Sequence, residues 1–93
     1  MRRVLLQSAA FLRAAKRLAK KSPDFVTSLQ STLESLANDA FLPSLKTHKL
    51  KGELAGSMGC SVGYDLRIVF EFVEHESSEA ILLQSVGTHD EVY

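Results

Sequence analysis

The sequence is poor in cysteine and lacks long apolar segments. Its 93 residues include one cysteine, Cys60, which excludes an internal disulfide and a zinc site built from several cysteines. No stretch approaches the roughly 20 consecutive apolar residues that a membrane-spanning helix needs. The basic start, residues 1–7, has too short an apolar run for a secretory signal. These absences predict a cytoplasmic protein that does not associate with a membrane.

Acidic residues are scarce in the first half of the chain and basic residues in the second half, although the formal net charge is zero. Residues 1–51 contain ten Lys or Arg and three Asp or Glu, which gives +7, whereas residues 52–93 contain one and eight, which gives −7. A basic first half predicts a surface that attracts phosphate. The alternative is that these cations only solvate amphipathic helices. The length and the 45% hydrophobic content predict a single domain, residues 1–93, with one modest core.

The first half has the periodicity of two helices after a short strand over residues 3–7. Ser8 is placed to cap a helix over about residues 9–21, whose apolar positions follow the spacing of one helix face: Phe11, Leu12, Ala15, Leu18 and Ala19. Ser22-Pro23-Asp24 combines an N-cap, a proline suited to the first helical position and an early acid. It predicts a second helix over residues 23–38, and hence a helical hairpin.

The second half changes to a period of two. After a polar connector, residues 43–56, apolar side chains alternate along the segment that contains Leu66, Ile68, Phe70 and Phe72, as in a strand with one buried face. A polar turn at residues 75–78 and a second strand over residues 79–86 predict an antiparallel pair. The predicted class is α+β, with an N-terminal strand and a two-helix hairpin packed on a curved antiparallel sheet.

Several side chains have the properties that phosphodiester cleavage needs. The reaction requires a proton acceptor, a proton donor and a cation beside the phosphate. Histidine as a residue type can serve either proton-transfer role. His48 and His89 are the candidates, whereas His75 falls in the predicted turn. Asp65 and Arg67 flank Leu66, so we expect them on one side of the strand, near His89. RNA supplies its own nucleophile, the 2′-OH, so no metal or other cofactor is required.

Each of these residues also has an ordinary structural interpretation. His48 and His89 can be surface histidines, Asp65 and Arg67 can be an exposed ion pair, and Tyr93 can close the core. No paired-ligand spacing supports a zinc site. Cys60 has no histidine near it in the sequence, which favours a small core residue over a nucleophile.

Four stretches together closely resemble the RelE/ParE superfamily of bacterial type II toxins, and most closely its YafQ-type mRNA interferases. The resemblance covers essentially the whole chain in order, and is carried by residues 11–17, 43–52, 60–70 and 87–93. It implies a RelE-like fold and a toxin that enters the ribosome and cuts mRNA by 2′-OH attack, which inhibits translation. It also implies a cognate antitoxin protein that binds the toxin in a heteromeric complex.

The resemblance carries functional residues over to this chain. It places the family's catalytic positions at His48, Asp65, Arg67, His89 and Tyr93. It implies that the histidines transfer protons, with His89 the first candidate. Arg67 would stabilise the phosphate, Asp65 would orient a histidine and Tyr93 would stack on an mRNA base. The cations implied to bind mRNA and ribosomal RNA are Arg13, Lys16, Arg17, Lys20, Lys21, Lys46, Lys49 and Lys51.

The sequence also departs from the YafQ pattern. Gly59 and Ser61 stand where YafQ-type sites carry an additional Asp and His, and Met58 stands where close relatives often have Trp. Two other functions therefore stay open. One is a poison of DNA gyrase that cuts no RNA, as in ParE-type members. The other is a catalytically inactive relative that acts only as an antitoxin-binding partner.

Overall fold

The computed structural model describes residues 2–93, which form one mixed sheet, three α-helices and two short 3-10 helices. In chain order the elements are β1 (Leu5–Gln7), α1 (Ala9–Lys21), α2 (Pro23–Asn38), β2 (His48–Lys49), β3 (Met58–Val62), β4 (Leu66–His75), β5 (Ser78–Thr88) and α3 (His89–Val92). The strand order is β1-β5-β4-β3-β2. The strand β1 runs parallel to β5, and the other pairs are antiparallel. The predicted α+β class is confirmed. No helix within residues 2–93 is long and apolar enough to cross a membrane.

The two long helices begin where the sequence predicts, but by different means. Ser8 caps α1, since its hydroxyl accepts from the Phe11 amide at 3.0 Å. Ser22 precedes α2 but forms no side-chain cap, so the predicted capping bond is wrong. The Phe25 amide, which the hydroxyl would have capped, donates instead to the Ser22 carbonyl at 3.1 Å. Ser22 also ends α1 by donating its own amide to Leu18, so one residue joins both helices.

The hydrophobic core lies between α1, α2 and one face of the sheet. Alternate residues of the strands point into it, and the largest fully buried side chains are Phe11, Leu36, Ile68, Phe70, Ile81 and Leu83. Burial of a side chain of this size stabilises the fold by about 1.5–3 kcal/mol. This face of the sheet is the covered face. The opposite face is the open face.

The β4–β5 hairpin is longer than predicted and turns more tightly. The strands reach His75 and Ser78, so the turn consists of Glu76 and Ser77 alone. Both have positive φ, 52° and 65°, as a two-residue turn of type I′ requires. The sequence predicts a turn here but not its two-residue length, because neither residue is a glycine or an asparagine.

Two short elements were not predicted. The polar connector contains β2, which is only two residues long and therefore has no alternation to detect. The C-terminal segment forms α3, a single helical turn after β5. Both elements carry residues of the candidate site.

Candidate functional site

The open face of the sheet carries small and polar residues near the end where β5 stops. Residues paired across neighbouring strands share a face, and Ile68 and Phe70 of β4 point to the covered face. The alternate residues therefore form two rows on the open face. One row is Ser61, Arg67 and Gly87, and the next is His48, Gly59, Val69 and Ser85.

The strand β2 places His48 at the edge of this face. His48 pairs with Gly59 of β3, and its ring is exposed. Its Nδ1 lies 2.9 Å from the carbonyl oxygen of Lys46, which adopts a left-handed conformation (φ 54°). A carbonyl only accepts hydrogen bonds, so Nδ1 carries the proton in this contact. The Nε2 atom of a neutral His48 is then the nitrogen that accepts a proton.

The helix α3 turns the end of the chain back toward the sheet. The Thr88 hydroxyl accepts from the Glu91 amide at 3.3 Å, while the Glu91 carboxylate accepts from the Thr88 amide at 2.8 Å. This is a reciprocal capping box. Arg17 of α1 forms an ion pair with the same carboxylate at 3.2 Å. The Thr88 amide and then Arg17 hold the pKa of Glu91 below its ordinary value. The Tyr93 amide donates to the His89 carbonyl at 3.0 Å.

Tyr93 contacts both candidate histidines. Its ring lies 4.8 Å from that of His89 and 6.2 Å from that of His48, measured between centroids, and is nearly perpendicular to each. The tyrosine is partly buried, and this burial raises its pKa, whereas the charge of Arg67 opposes the rise. An open cleft of about 370 Å³, here called the tail groove, is lined by His48, Lys49, Leu50, Lys51, Leu54, His89 and Tyr93.

Arg67 lies on the open face, one row away from the row that contains His48 and Gly59. Its Nη1 donates to the carbonyls of Leu66 at 2.8 Å and Tyr64 at 3.2 Å, which holds the guanidinium beside the β3–β4 turn. Its charge lowers the pKa of Tyr93, against the larger effect of burial. Arg67 is not among the residues that line the groove.

Asp65 does not occupy the position that the sequence predicts. It lies in the turn before β4, because the strand begins at Leu66, so the expectation that it shares a strand face with Arg67 is wrong. Its side chain is exposed and, within residues 2–93, forms no hydrogen bond or ion pair with Arg67 or with either histidine of the groove. Leu66 pairs with Thr88, so Asp65 and His89 leave the hairpin at the same end.

The predicted cations fall into two groups, and all of them are exposed. The helix α1 carries Arg13, Lys16, Arg17, Lys20 and Lys21. Lys46 precedes β2, and Lys49 and Lys51 line the tail groove. The ion pair of Arg17 with Glu91 joins the first group to the chain end. The cations thus extend from α1 to the groove.

Two features of the site were missed from the sequence. Leu50 and Leu54 form an apolar part of the groove wall, and nothing in their spacing indicates this. Glu91 holds the chain end in place. A signal for it was present, because Thr88-x-x-Glu91 fits the pattern of a capping box and predicts a helix start.

The remaining nucleophilic and titratable side chains lie elsewhere. His75 is at the hairpin turn, where its Nε2 lies 3.9 Å from the carboxylate of Glu76. Cys60 is buried in the core, and this burial raises its pKa to about 12. The part of the chain that the structure describes contains no group of three His, Cys, Asp or Glu able to hold a metal ion.

Comparison with known proteins identifies the family. The profile of the family described as "Bacterial toxin of type II toxin-antitoxin system, YafQ" matches residues 3–93. A metal-bound toxin from Helicobacter pylori is 28% identical, with 100% of both chains covered and a TM-score of 0.79. YafQ in the E. coli DinJ-YafQ toxin-antitoxin complex is 22% identical, with 100% of this chain and 99% of that chain covered and a TM-score of 0.77.

A YoeB/ParE toxin from Agrobacterium tumefaciens shares the fold at 15% identity, with 92% of this chain and 98% of that chain covered and a TM-score of 0.76. The comparison with curated proteins gave no match. The resemblance seen in the sequence is confirmed, because the family profile spans nearly the whole chain. The protein belongs to the YafQ family of bacterial type II toxin-antitoxin toxins.

Proposed function

We propose that the protein is a ribosome-dependent endoribonuclease that cleaves mRNA and so inhibits translation. The observation that carries the proposal is the tail groove, in which two histidines approach one tyrosine beside two lysines. Two proton-transfer groups and a cationic wall are what cleavage of a phosphodiester by an internal 2′-OH needs. A protein that only binds its target needs no pair of histidines.

The contacts of each histidine suggest a division of roles. His48 directs its protonated Nδ1 at a carbonyl, so its Nε2 is available to take the proton of the 2′-OH. His89, whose Nδ1 lies 3.5 Å from the Asp90 carboxylate, would then protonate the leaving 5′-oxygen. The 2′-oxygen then bonds to phosphorus as the bond to the 5′-oxygen breaks, which leaves a cyclic phosphate.

The cations would act on the phosphate groups. Arg67 would stabilise the charge that develops on the phosphate oxygens, and Lys49 and Lys51 would hold the neighbouring backbone. The cations of α1 would bind ribosomal RNA, which makes binding strongly dependent on salt. Nothing in the contacts of Asp65 gives it the role of orienting a histidine, so it has no step in the proposed reaction.

We also propose that a cognate antitoxin binds this toxin. The support is the E. coli relative, whose structure is that of a DinJ-YafQ toxin-antitoxin complex. The reaction as proposed uses only side chains and the RNA 2′-OH, and so has no step that needs a metal. The Helicobacter pylori toxin is metal-bound, and its metal is a property of that toxin that has no part in the reaction proposed for this chain.

The test is cleavage of mRNA on programmed ribosomes by the antitoxin-free protein. His89→Ala should lower the cleavage rate by at least about a hundredfold, the usual contribution of general acid or base catalysis. His75→Ala is the matched control, because it removes a histidine of the same chain that lies outside the groove, and it should cleave like the wild type. Free mRNA should be cleaved far more slowly than ribosome-bound mRNA.

Other outcomes would contradict the proposal. A folded protein that cleaves no mRNA but causes gyrase-dependent DNA damage in cells would be a ParE-like poison. A folded protein with neither effect that still binds its antitoxin would be an inactive relative. Equal activities of His89→Ala and His75→Ala would remove His89 from the reaction.

A further inference from the structure

Gly59 is buried, and its backbone conformation does not require a glycine. The glycines with positive φ are Gly52, Gly56 and Gly63, and an added Cβ at any of these three meets open space. Gly59 lies inside β3 and is not among them. A glycine within a strand weakens it unless another group must approach the backbone closely. The reason for glycine at this position must therefore lie in the space above it.

That space is filled by the last residue of the chain. A Cβ built on Gly59 would overlap the Tyr93 hydroxyl, and it would lie 3.1 Å from Tyr93 Cζ and 3.1 Å from Leu50 Cδ2. Tyr93 therefore rests its hydroxyl end directly on the backbone of β3. Gly59 is also the cross-strand partner of His48, so the hydroxyl lies beside the strand position that carries one of the two histidines.

A second glycine accommodates the same chain end. Gly87, on the open face of β5, also lacks a positive φ, and a Cβ there would approach Glu91 Oε1 at 2.9 Å and Val92 Cγ1 at 3.3 Å. The chain end thus packs on two glycines of the open face. This packing fixes where the Tyr93 ring stands relative to both histidines.

The contacts of Tyr93 differ from those expected of a platform for an RNA base. Its side of the groove is already occupied by two imidazoles, a leucine and the strand backbone, and the residue is 38% exposed. Tyr64, in the β3–β4 turn, is 95% exposed and has the free faces that stacking needs.

We propose that Gly59 and Tyr93 form a complementary pair in which the missing side chain of Gly59 admits the Tyr93 hydroxyl, so that Tyr93 acts as a positioning residue that fixes the spacing of His48 and His89. The cleavage test of this proposal rests on the proposed function, whereas the NMR test does not. It also gives a reason for the departure from the YafQ pattern at this position, because the Asp that the resemblance implies at residue 59 would occupy the volume of the hydroxyl.

The first test is a double-mutant cycle that restores the fit. Gly59→Ala should lower ribosome-dependent cleavage by about tenfold or more, because it displaces the ring between the two histidines. Tyr93→Phe removes the overlapping oxygen and leaves contacts near 3.1 Å that small shifts can relieve. In the Tyr93→Phe background, Gly59→Ala should therefore cost no more than about twofold. An equal cost in both backgrounds would overturn the proposal.

The second test does not depend on cleavage. The histidine ring protons of the free protein report the tyrosine through its ring current in NMR spectra. Gly59→Ala should shift the signals of His48 and His89 and leave His75 unchanged, and adding Tyr93→Phe should return them toward their positions in Tyr93→Phe alone. Unshifted His48 and His89 signals in Gly59→Ala, or a double variant that does not fold, would overturn the proposal.

The two tests separate this inference from the proposed function. If the NMR signals respond as expected while the wild type cleaves no mRNA, the proposed function fails and the positioning by Tyr93 stands. If the wild type cleaves mRNA and the cycle shows no coupling, the nuclease stands and the positioning role fails. Ser61→Ala is the matched control, since Ser61 lies on the same face of β3 one row away, and it should leave the His48 and His89 signals in place.

Discussion

The two faces of the sheet have different roles, although alternate residues of the same strands form both faces. On the covered face, Ile68 and Phe70 of β4 are fully buried against the helices. On the open face, Arg67 of the same strand lies beside Ser61 and Gly87. The residues of one face stabilise the fold, and those of the other form the candidate site. Adjacent positions of one strand should therefore respond to substitution in different assays.

A β-bulge decides which residues of β5 reach which face. The register shifts between Val69 and Phe70, so that Gln84 has no partner on β4. Leu83 and Val86 are three residues apart and yet both lie in the core, which strict alternation would forbid. The extra residue moves Gly87 to the open face. The bulge thus directs the end of β5, and α3 after it, toward the groove.

The largest effect is expected on the covered face. Phe70→Ala should lower the free energy of unfolding by about 3–5 kcal/mol, because it leaves a cavity in the centre of the core. Denaturant unfolding followed by circular dichroism measures this. Glu74→Ala, an exposed position of the same strand, should change the value by no more than about 0.5 kcal/mol. Similar losses for both variants would contradict the division between the faces.

On the open face the main effect should be on the reaction. Arg67→Ala should lower ribosome-dependent cleavage by about a hundredfold, because it removes a charge that stabilises the transition state. The free energy of unfolding should fall by only about 1 kcal/mol, because Arg67 donates two hydrogen bonds to backbone carbonyls.

Arg67→Lys sharpens this test. It keeps the charge and loses the planar group that donates to Leu66 and Tyr64, so cleavage should lie between that of Arg67→Ala and the wild type. An Arg67→Ala variant that cleaves like the wild type, or one that loses activity only because it is unfolded, would show that the open face does not carry the reaction through this residue.

The sequence predicts the covered face better than the open face. Its helices and the strand around Phe70 repeat an apolar period several times, and each repeat adds to the signal. The open face depends on features that occur once. These are a two-residue strand under His48, a bulge at Gln84 and a single helical turn after Thr88. None of them has a period.

Asp65 shows the limit of reasoning from alternation at a strand end. Its spacing to Arg67 predicts a shared face only if the strand already includes residue 65, and the turn ends there instead. The resemblance to a family placed His48, His89 and Tyr93 among the site residues, and these are the ones that line the groove. The resemblance did not indicate how Gly59 and Tyr93 fit together, because this chain departs from the family pattern at Gly59.

The smallest effect is expected at the contact that joins the two faces, between Arg17 of α1 and Glu91 of α3. The pKa of Glu91 is lower in the folded protein than its ordinary value of 4.5, so folding favours the ionised carboxylate. Its stabilising contribution is therefore present above pH 4.5 and is lost as the pH falls through the lower folded value. The packing of the chain end on the open face should then weaken.

The nuclear Overhauser effect between the Tyr93 ring and the Gly59 α-protons measures directly how closely the chain end packs on the open face. It should weaken in acid in the wild type, and in Glu91→Gln it should be weaker already at neutral pH, because a neutral amide can still accept from the Thr88 amide but loses the charge that pairs with Arg17. Asp90→Asn is the matched control. Asp90 is fully exposed, and its substitution should leave the acid transition in place. If Glu91→Gln keeps the full neutral-pH signal, the packing of Tyr93 on Gly59 holds the chain end without the carboxylate, and the two faces are not joined through Arg17.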